Sequence, residues 1–88
     1  MAVTFKVDKI LQQFAHCEPE QEVIGSTVDE CLNDLIGKLP DIKDKVFDKN
    51  GVLRVMILLN GQVVYQKDLM RTVADGDRLQ LITAISGG

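Results

Sequence analysis

The chain closes on Ser86-Gly87-Gly88, the residues in it best suited to chemistry. They follow directly on the strand-like run Arg78-Leu79-Gln80-Leu81-Ile82-Thr83-Ala84-Ile85. Glycine gives up the most backbone freedom on folding, so two in succession do not serve a core. They offer a thin backbone without side chains and, at Gly88, a carboxylate at its tip. Such a tail can thread a narrow channel and present Gly88 to the active site of another protein. Taken alone, the two glycines fit a frayed terminus better, because disorder concentrates at chain ends. The rest of the sequence decides between the two readings.

No second reactive set competes with the tail. The sequence holds no Ser/His/Asp or Cys/His constellation, no glycine-rich phosphate loop and no cluster with metal-ligand spacing. His16 and Cys17 are adjacent, yet chain neighbours need not face each other and neither has a recognisable partner. Both are read as surface or edge residues. Cys31 falls in an apolar stripe and reads as a small buried hydrophobe. The carboxylates sit in turns and on helix surfaces. Intrinsic catalysis is not expected, nor is any bound cofactor or metal.

Composition narrows the class further. Eighty-eight residues suffice for one core and leave no room for a second. A hydrophobic content of 45% is too high for a disordered chain. The net charge of −3, with Lys38, Lys43, Lys45 and Lys49 interleaved among Asp41, Asp44 and Asp48, describes a solvated face rather than a basic stripe. Nucleic acid is therefore not an expected partner. No apolar run is long enough to cross a bilayer, and the N-terminus lacks the layout of a signal peptide. Two cysteines make no disulfide scaffold. A cytoplasmic protein without a membrane partner is expected.

The elements that must position the tail can be read in order. Val3, Phe5 and Val7 alternate with Thr4, Lys6 and Asp8, the period of a half-buried strand. Ile10, Leu11 and Phe14 follow with less regularity, and Glu18-Pro19-Glu20 breaks the chain. A short strand over residues 21–24, antiparallel to the first, ends at Gly25. Thr27-Val28-Asp29-Glu30 forms a capping box, and behind it Val28, Cys31, Leu32, Leu35 and Ile36 make one helical stripe. Gly37 is placed at or near the C-cap, with Pro40 discouraging continuation. Residues 41–48 suggest a further helical turn with Ile42, Val46 and Phe47 inward. The strongest strand covers residues 53–59. Asn60-Gly61 marks a type I′ hairpin into residues 62–66. Leu69 and Val73 lie in a connector, and Asp75-Gly76-Asp77 turns the chain into a last strand over residues 78–85.

Two faces of the central strands carry different information. Leu53, Val55, Ile57 and Leu59 share one side and belong beneath the helix, as do Leu79 and Leu81. Arg54, Met56, Leu58 and Asn60 share the other, as do Gln80 and Ile82. One helix cannot cover both sides of a sheet, so Met56, Leu58 and Ile82 are expected to be exposed together. Scattered surface hydrophobes need no explanation, but three clustered on two strands suggest a partner surface.

This layout resembles a ubiquitin-like β-grasp domain, and more narrowly the ThiS/MoaD family of sulfur carriers. The matching residues are Leu58-Leu59-Asn60-Gly61, Asp75-Gly76-Asp77-Arg78-Leu79 and Ala84-Ile85-Ser86-Gly87-Gly88. The resemblance implies an α+β fold, a mixed sheet of four to five strands with one main helix packed on one face. A β-grasp domain would span residues 1–83 and a flexible Gly-Gly tail residues 84–88. Two departures stand out: this chain lacks the Pro that many relatives carry near Thr83 or Ala84, and residues 41–51 exceed the shortest thiamine carriers. The second favours a molybdopterin-type or a cysteine/methionine-biosynthesis-type relative. The resemblance further implies that a partner activating enzyme uses Mg-ATP to adenylate the Gly88 carboxylate, which a sulfur donor converts to a thiocarboxylate. Ser86 and Gly87 would thread the channel. Met56, Leu58 and Ile82 would dock on that enzyme or on a downstream sulfur-acceptor synthase. Conjugation through Gly88 as a protein modifier, or a non-covalent interaction module, remain the alternatives.

Overall fold

Val3, Phe5 and Val7 turn to one side of the first strand, β1 (Ala2–Val7), and are buried there, while Lys6 on the other side is exposed. The computed structural model of the chain describes residues 2–83. Beyond β1 the irregular apolar stretch is a helix, α1 (Lys9–Ala15). Asp8 caps it by accepting from the Leu11 N–H at 3.0 Å, and His16 closes it in the left-handed region at φ 54°. Of its apolar residues Leu11 alone is fully buried. Ile10 and Phe14 stay exposed, with the Lys45 ammonium 4.9 Å from the centre of the Phe14 ring.

Strand β2 (Glu20–Ile24) pairs antiparallel with β1 and starts one residue earlier than its apolar pattern suggests. Helix α2 (Val28–Lys38) crosses the inner face, burying Val28, Cys31, Leu32 and Leu35. The Thr27 hydroxyl accepts from the Glu30 N–H at 3.1 Å, as the capping box requires. Glu30 reaches back one residue further than expected, accepting from the Ser26 N–H at 2.7 Å. Gly37 is not the C-cap: it lies within the last turn, and Leu39 caps the helix by donating to the Leu35 carbonyl. Gly25 is buried because α2 starts against it. A Cβ there would stand 2.7 Å from the Cys31 nitrogen and 3.0 Å from its Sγ.

The free edge of β2 is occupied by side chains of α2. Asp34 Oδ2 accepts from the Ile24 N–H at 2.9 Å, and the Lys38 ammonium donates to the Glu22 carbonyl. The two side chains pair at 3.5 Å.

Pro40 begins a 3-10 turn (Pro40–Ile42) that runs into a short helix, α3 (Lys43–Val46). Ile42 and Val46 are buried and Phe47 partly so. β3 (Val55–Leu59) and β4 (Gln62–Val64) form the hairpin, with Asn60 at φ 49° and Gly61 at φ 86° supplying the two positive values of a type I′ turn. After a second 3-10 turn (Gln66–Asp68), β5 (Arg78–Thr83) enters the middle of the sheet. The strand order is β2-β1-β5-β3-β4, with β1 and β5 parallel and the other neighbours antiparallel. The result is a five-stranded mixed sheet with α2 packed on one face.

The two turn motifs recognised in the sequence bind each other. Asn60 Oδ1 accepts from the Arg78 N–H at 3.0 Å, and its amide donates to Asp77 Oδ1 at 3.2 Å. Asp77 Oδ2 accepts from the Ala74 N–H at 2.8 Å, and Asp75 accepts from the Ala2 N–H at 2.7 Å. The Ala74 N–H and the Asn60 amide hold the Asp77 carboxyl below its ordinary range. The hairpin, the Asp-Gly-Asp turn and the start of β1 are thereby locked at the end of the sheet where β5 begins.

Candidate functional site

The outer face of the sheet divides into a polar half and an apolar half. Strand register places Glu20, Lys6, Gln80, Leu58 and Val63 in one row across all five strands. Glu20 also pairs with Arg78 at 3.1 Å. The charged residues lie over β2 and β1, and the row turns apolar at β3. Alongside it, Met56 stands directly opposite Ile82.

Met56, Leu58 and Ile82 are thus brought together on one face, as the alternation of β3 and β5 implies. Their exposure is unequal. Met56 is 47% exposed, whereas Leu58 and Ile82 are only partly exposed, correcting the expectation that all three stand open. Neighbours cause the difference: Leu58 sits between Gln80 and Val63, and an inner strand position is shielded from both sides. Val63 and Tyr65, exposed beside them, extend the apolar surface. The two-residue turn fixes Val63 opposite Leu58, so the hairpin signal already contained this contact. A shallow cavity of about 420 Å³ opens here, lined in part by Arg54, Met56, Val63 and Tyr65. Gln66 braces its rim, accepting from the Leu53 N–H at 2.8 Å and donating to the Gly51 carbonyl at 2.9 Å.

Thr83, the end of β5, follows Ile82 and pairs with Val55. The chain therefore leaves the described region next to the apolar patch. Ser86, Gly87 and Gly88 lie outside the described residues, as does the boundary between domain and tail.

Neither cysteine is set up as a nucleophile. Burial pushes both thiols up, with Glu18 adding to the shift at Cys17 and Asp34 and Glu30 contributing at Cys31. His16 is exposed and serves as the helix cap. Among the described residues, no three His, Cys, Asp or Glu side chains gather where a metal ion could be held. No described helix is long and apolar enough to cross a membrane.

The ThiS family matches residues 9–88, which take in every element after β1, the apolar face and the Gly-Gly end. The chain belongs to the ThiS family. Its members are small carrier proteins. This ThiS-family chain is similar in structure to the small archaeal modifier protein SAMP1 of Haloferax volcanii, at 28% identity and a TM-score of 0.86, with both chains fully covered. It is also similar to small archaeal modifier protein 1 of Methanosarcina acetivorans, at 27% identity and a TM-score of 0.85, covering 99% of this chain and 96% of that one. A chain of the Amycolatopsis orientalis BexX/CysO complex is 30% identical with a TM-score of 0.82, covering 99% of this chain and all of the other. No curated protein sequence matches significantly. The ThiS-family fold is accordingly the ubiquitin-like β-grasp of small modifiers and sulfur carriers.

Proposed function

We propose that this ThiS-family protein is a sulfur carrier whose C-terminal Gly88 alternates between carboxylate and thiocarboxylate. The observation that carries the reading is the apolar face around Met56, which adjoins the strand leading to Ser86-Gly87-Gly88. A carboxylate is a poor electrophile. An activating enzyme with Mg-ATP overcomes this: the Gly88 oxygen attacks the α-phosphorus, pyrophosphate leaves, and an acyl-adenylate forms. Sulfide attacking the acyl carbon expels AMP and gives the thiocarboxylate directly. A persulfide gives an acyl disulfide, which a thiol then reduces to the same product. The carrier itself contributes no reacting side chain. It supplies a face for docking and a tail thin enough to enter the partner, where a Cβ at Gly87 would obstruct the path. A downstream synthase takes the sulfur from the thiocarboxylate.

Intact-protein mass spectrometry tests the proposal. Incubation with the activating enzyme, Mg-ATP and a sulfur donor yields a species heavier by one oxygen-to-sulfur exchange, and deletion of Gly88 abolishes it. Only unmodified carboxylate after that incubation would remove the reading.

The similarity to two small archaeal modifier proteins favours a second reading, in which activated Gly88 forms an isopeptide bond with a lysine of a target protein. Denaturing gels separate the two: covalent high-mass conjugates that vanish on deletion of Gly88 belong to a modifier.

A further inference from the structure

We infer that Asp8 is a positioning residue that fixes where the C-terminal tail leaves the sheet, by holding the last backbone N–H of β5. The inference rests on the carrier reading. It begins from a mismatch in strand length. β1 ends at Val7, paired with Leu81, whereas β5 runs on to Thr83. On the β3 side Thr83 still has Val55 for a neighbour. On the β1 side no strand remains among the described residues, and without Asp8 the Thr83 N–H would be a partly buried donor lacking an acceptor there.

The Asp8 carboxylate fills that position. Oδ2 accepts from the Thr83 N–H, while Oδ1 accepts from the Leu11 N–H at 3.0 Å. The backbone leading into Asp8 is itself held in place. The Gln12 amide donates to the Val7 carbonyl at 2.7 Å, and the Val7 N–H donates to the Pro19 carbonyl at 2.7 Å. The residue type is specific to the double task. Ser or Asn caps a helix about as well as Asp does. Only a carboxylate offers two acceptor oxygens, one for the helix and one for the strand.

Thr83 precedes Gly88 by five positions, and an extended segment of that length reaches at most ~18 Å. Its productive placement in a partner depends on a fixed origin. If Thr83 frays, one more residue must be ordered whenever the tail is threaded, which lowers the productive fraction about tenfold. The docking face is untouched by this, so the loss falls on turnover and not on binding.

The test uses the full chain with the ATP-dependent activating enzyme of its own cell and reads ATP–pyrophosphate exchange. Asp8→Asn keeps an oxygen for the Leu11 cap and loses the second acceptor. Thr83→Pro keeps the cap and deletes the donor. Each variant is expected to lower kcat about tenfold at unchanged KM, and the double variant no further, because both remove the same bond. Amide exchange at Thr83, slow in the wild type, is expected to be fast in Asp8→Asn. An unchanged kcat in either folded variant would overturn the positioning role, as would a loss confined to KM. Absence of exchange activity in the wild type would overturn the carrier reading itself, and the positioning role with it, while slow exchange at Thr83 would still register the bond.

Discussion

A carboxylate introduced at Met56 separates docking from folding more cleanly than one at any neighbouring position. Met56 is 47% exposed and lies across from Ile82 on the outer face. Met56→Asp forfeits about half of a buried side chain, ~1 kcal/mol, and places a poor strand former in β3 for up to ~1 kcal/mol more. A domain of this size has a stability of ~4–13 kcal/mol, so the variant folds. The adjacent residue gives the contrast. Ile57 is 0% exposed beneath α2, and Ile57→Asp combines a lost apolar contact of ~2–3 kcal/mol with a buried carboxyl costing ~2–7 kcal/mol. That sum consumes most or all of the stability, and Ile57→Asp is expected to be unfolded by circular dichroism. At the centre of an interface the Met56→Asp carboxylate is stranded away from water. A loss of ~2–4 kcal/mol is typical of such an anchor, equivalent to ~30- to 1,000-fold in kcat/KM for adenylation. Leu58, being partly buried, mixes the two effects and is the poorer probe. The reasoning fails if Met56→Asp melts like the wild type and is adenylated at the wild-type rate. It fails equally if Met56→Asp unfolds while Ile57→Asp does not, since the faces would then be inverted.

Three further outcomes are expected. Gly25→Ala forces a Cβ to within 2.7 Å of the Cys31 nitrogen, an overpacking worth ~1–3 kcal/mol. A lower denaturant midpoint at unchanged slope checks it. Gly61→Ala puts a side chain on a residue at φ 86° with open space around it. The loss is therefore backbone strain of about 1 kcal/mol, visible as a lower Tm. Burial pulls the Asp8 carboxyl up, but hydrogen bonds from Leu11 and Thr83 outweigh it and hold the group below its ordinary range. Its folded pKa thus lies below the unfolded value, so its contribution is complete above about pH 4 and is lost as the pH falls through the folded pKa. Acid titration of stability is expected to show a shallower fall for Asp8→Asn than for the wild type.

The strands were legible because alternation in β1, β3 and β5 reports a sheet buried on one side, as the burial of Val3, Phe5, Ile57 and Leu81 shows. The hairpin was legible because a two-residue turn with positive φ demands Asn-Gly chemistry. Helix α1 was not, because it is only seven residues long and Leu11 alone of its apolar residues is buried, Ile10 and Phe14 staying exposed. Its start was nonetheless written in Asp8. Gly37 misled for the opposite reason: the helix stop comes from Leu39 and Pro40, and no left-handed glycine is needed. In the candidate site, face membership followed from alternation alone, so Met56, Leu58 and Ile82 were identified together. Their unequal exposure depends on which strands flank them. So does the partnership of Asp8 with Thr83, separated by 75 positions in the chain.

The Asp34–Lys38 pair of α2, laid against the edge of β2, has a consequence for assembly. Sheets extend from molecule to molecule by edge pairing, and an endless filament requires every copy to offer two open margins. Here one margin, β2, has its Ile24 N–H and Glu22 carbonyl already engaged by its own helix. The other margin is β4, three residues long. A margin obstructed in this way receives a second strand poorly, so edge-to-edge growth of this sheet is disfavoured beyond two copies. Opening β2 by removing Asp34 and Lys38 together restores the second margin and with it the geometry of a fibre.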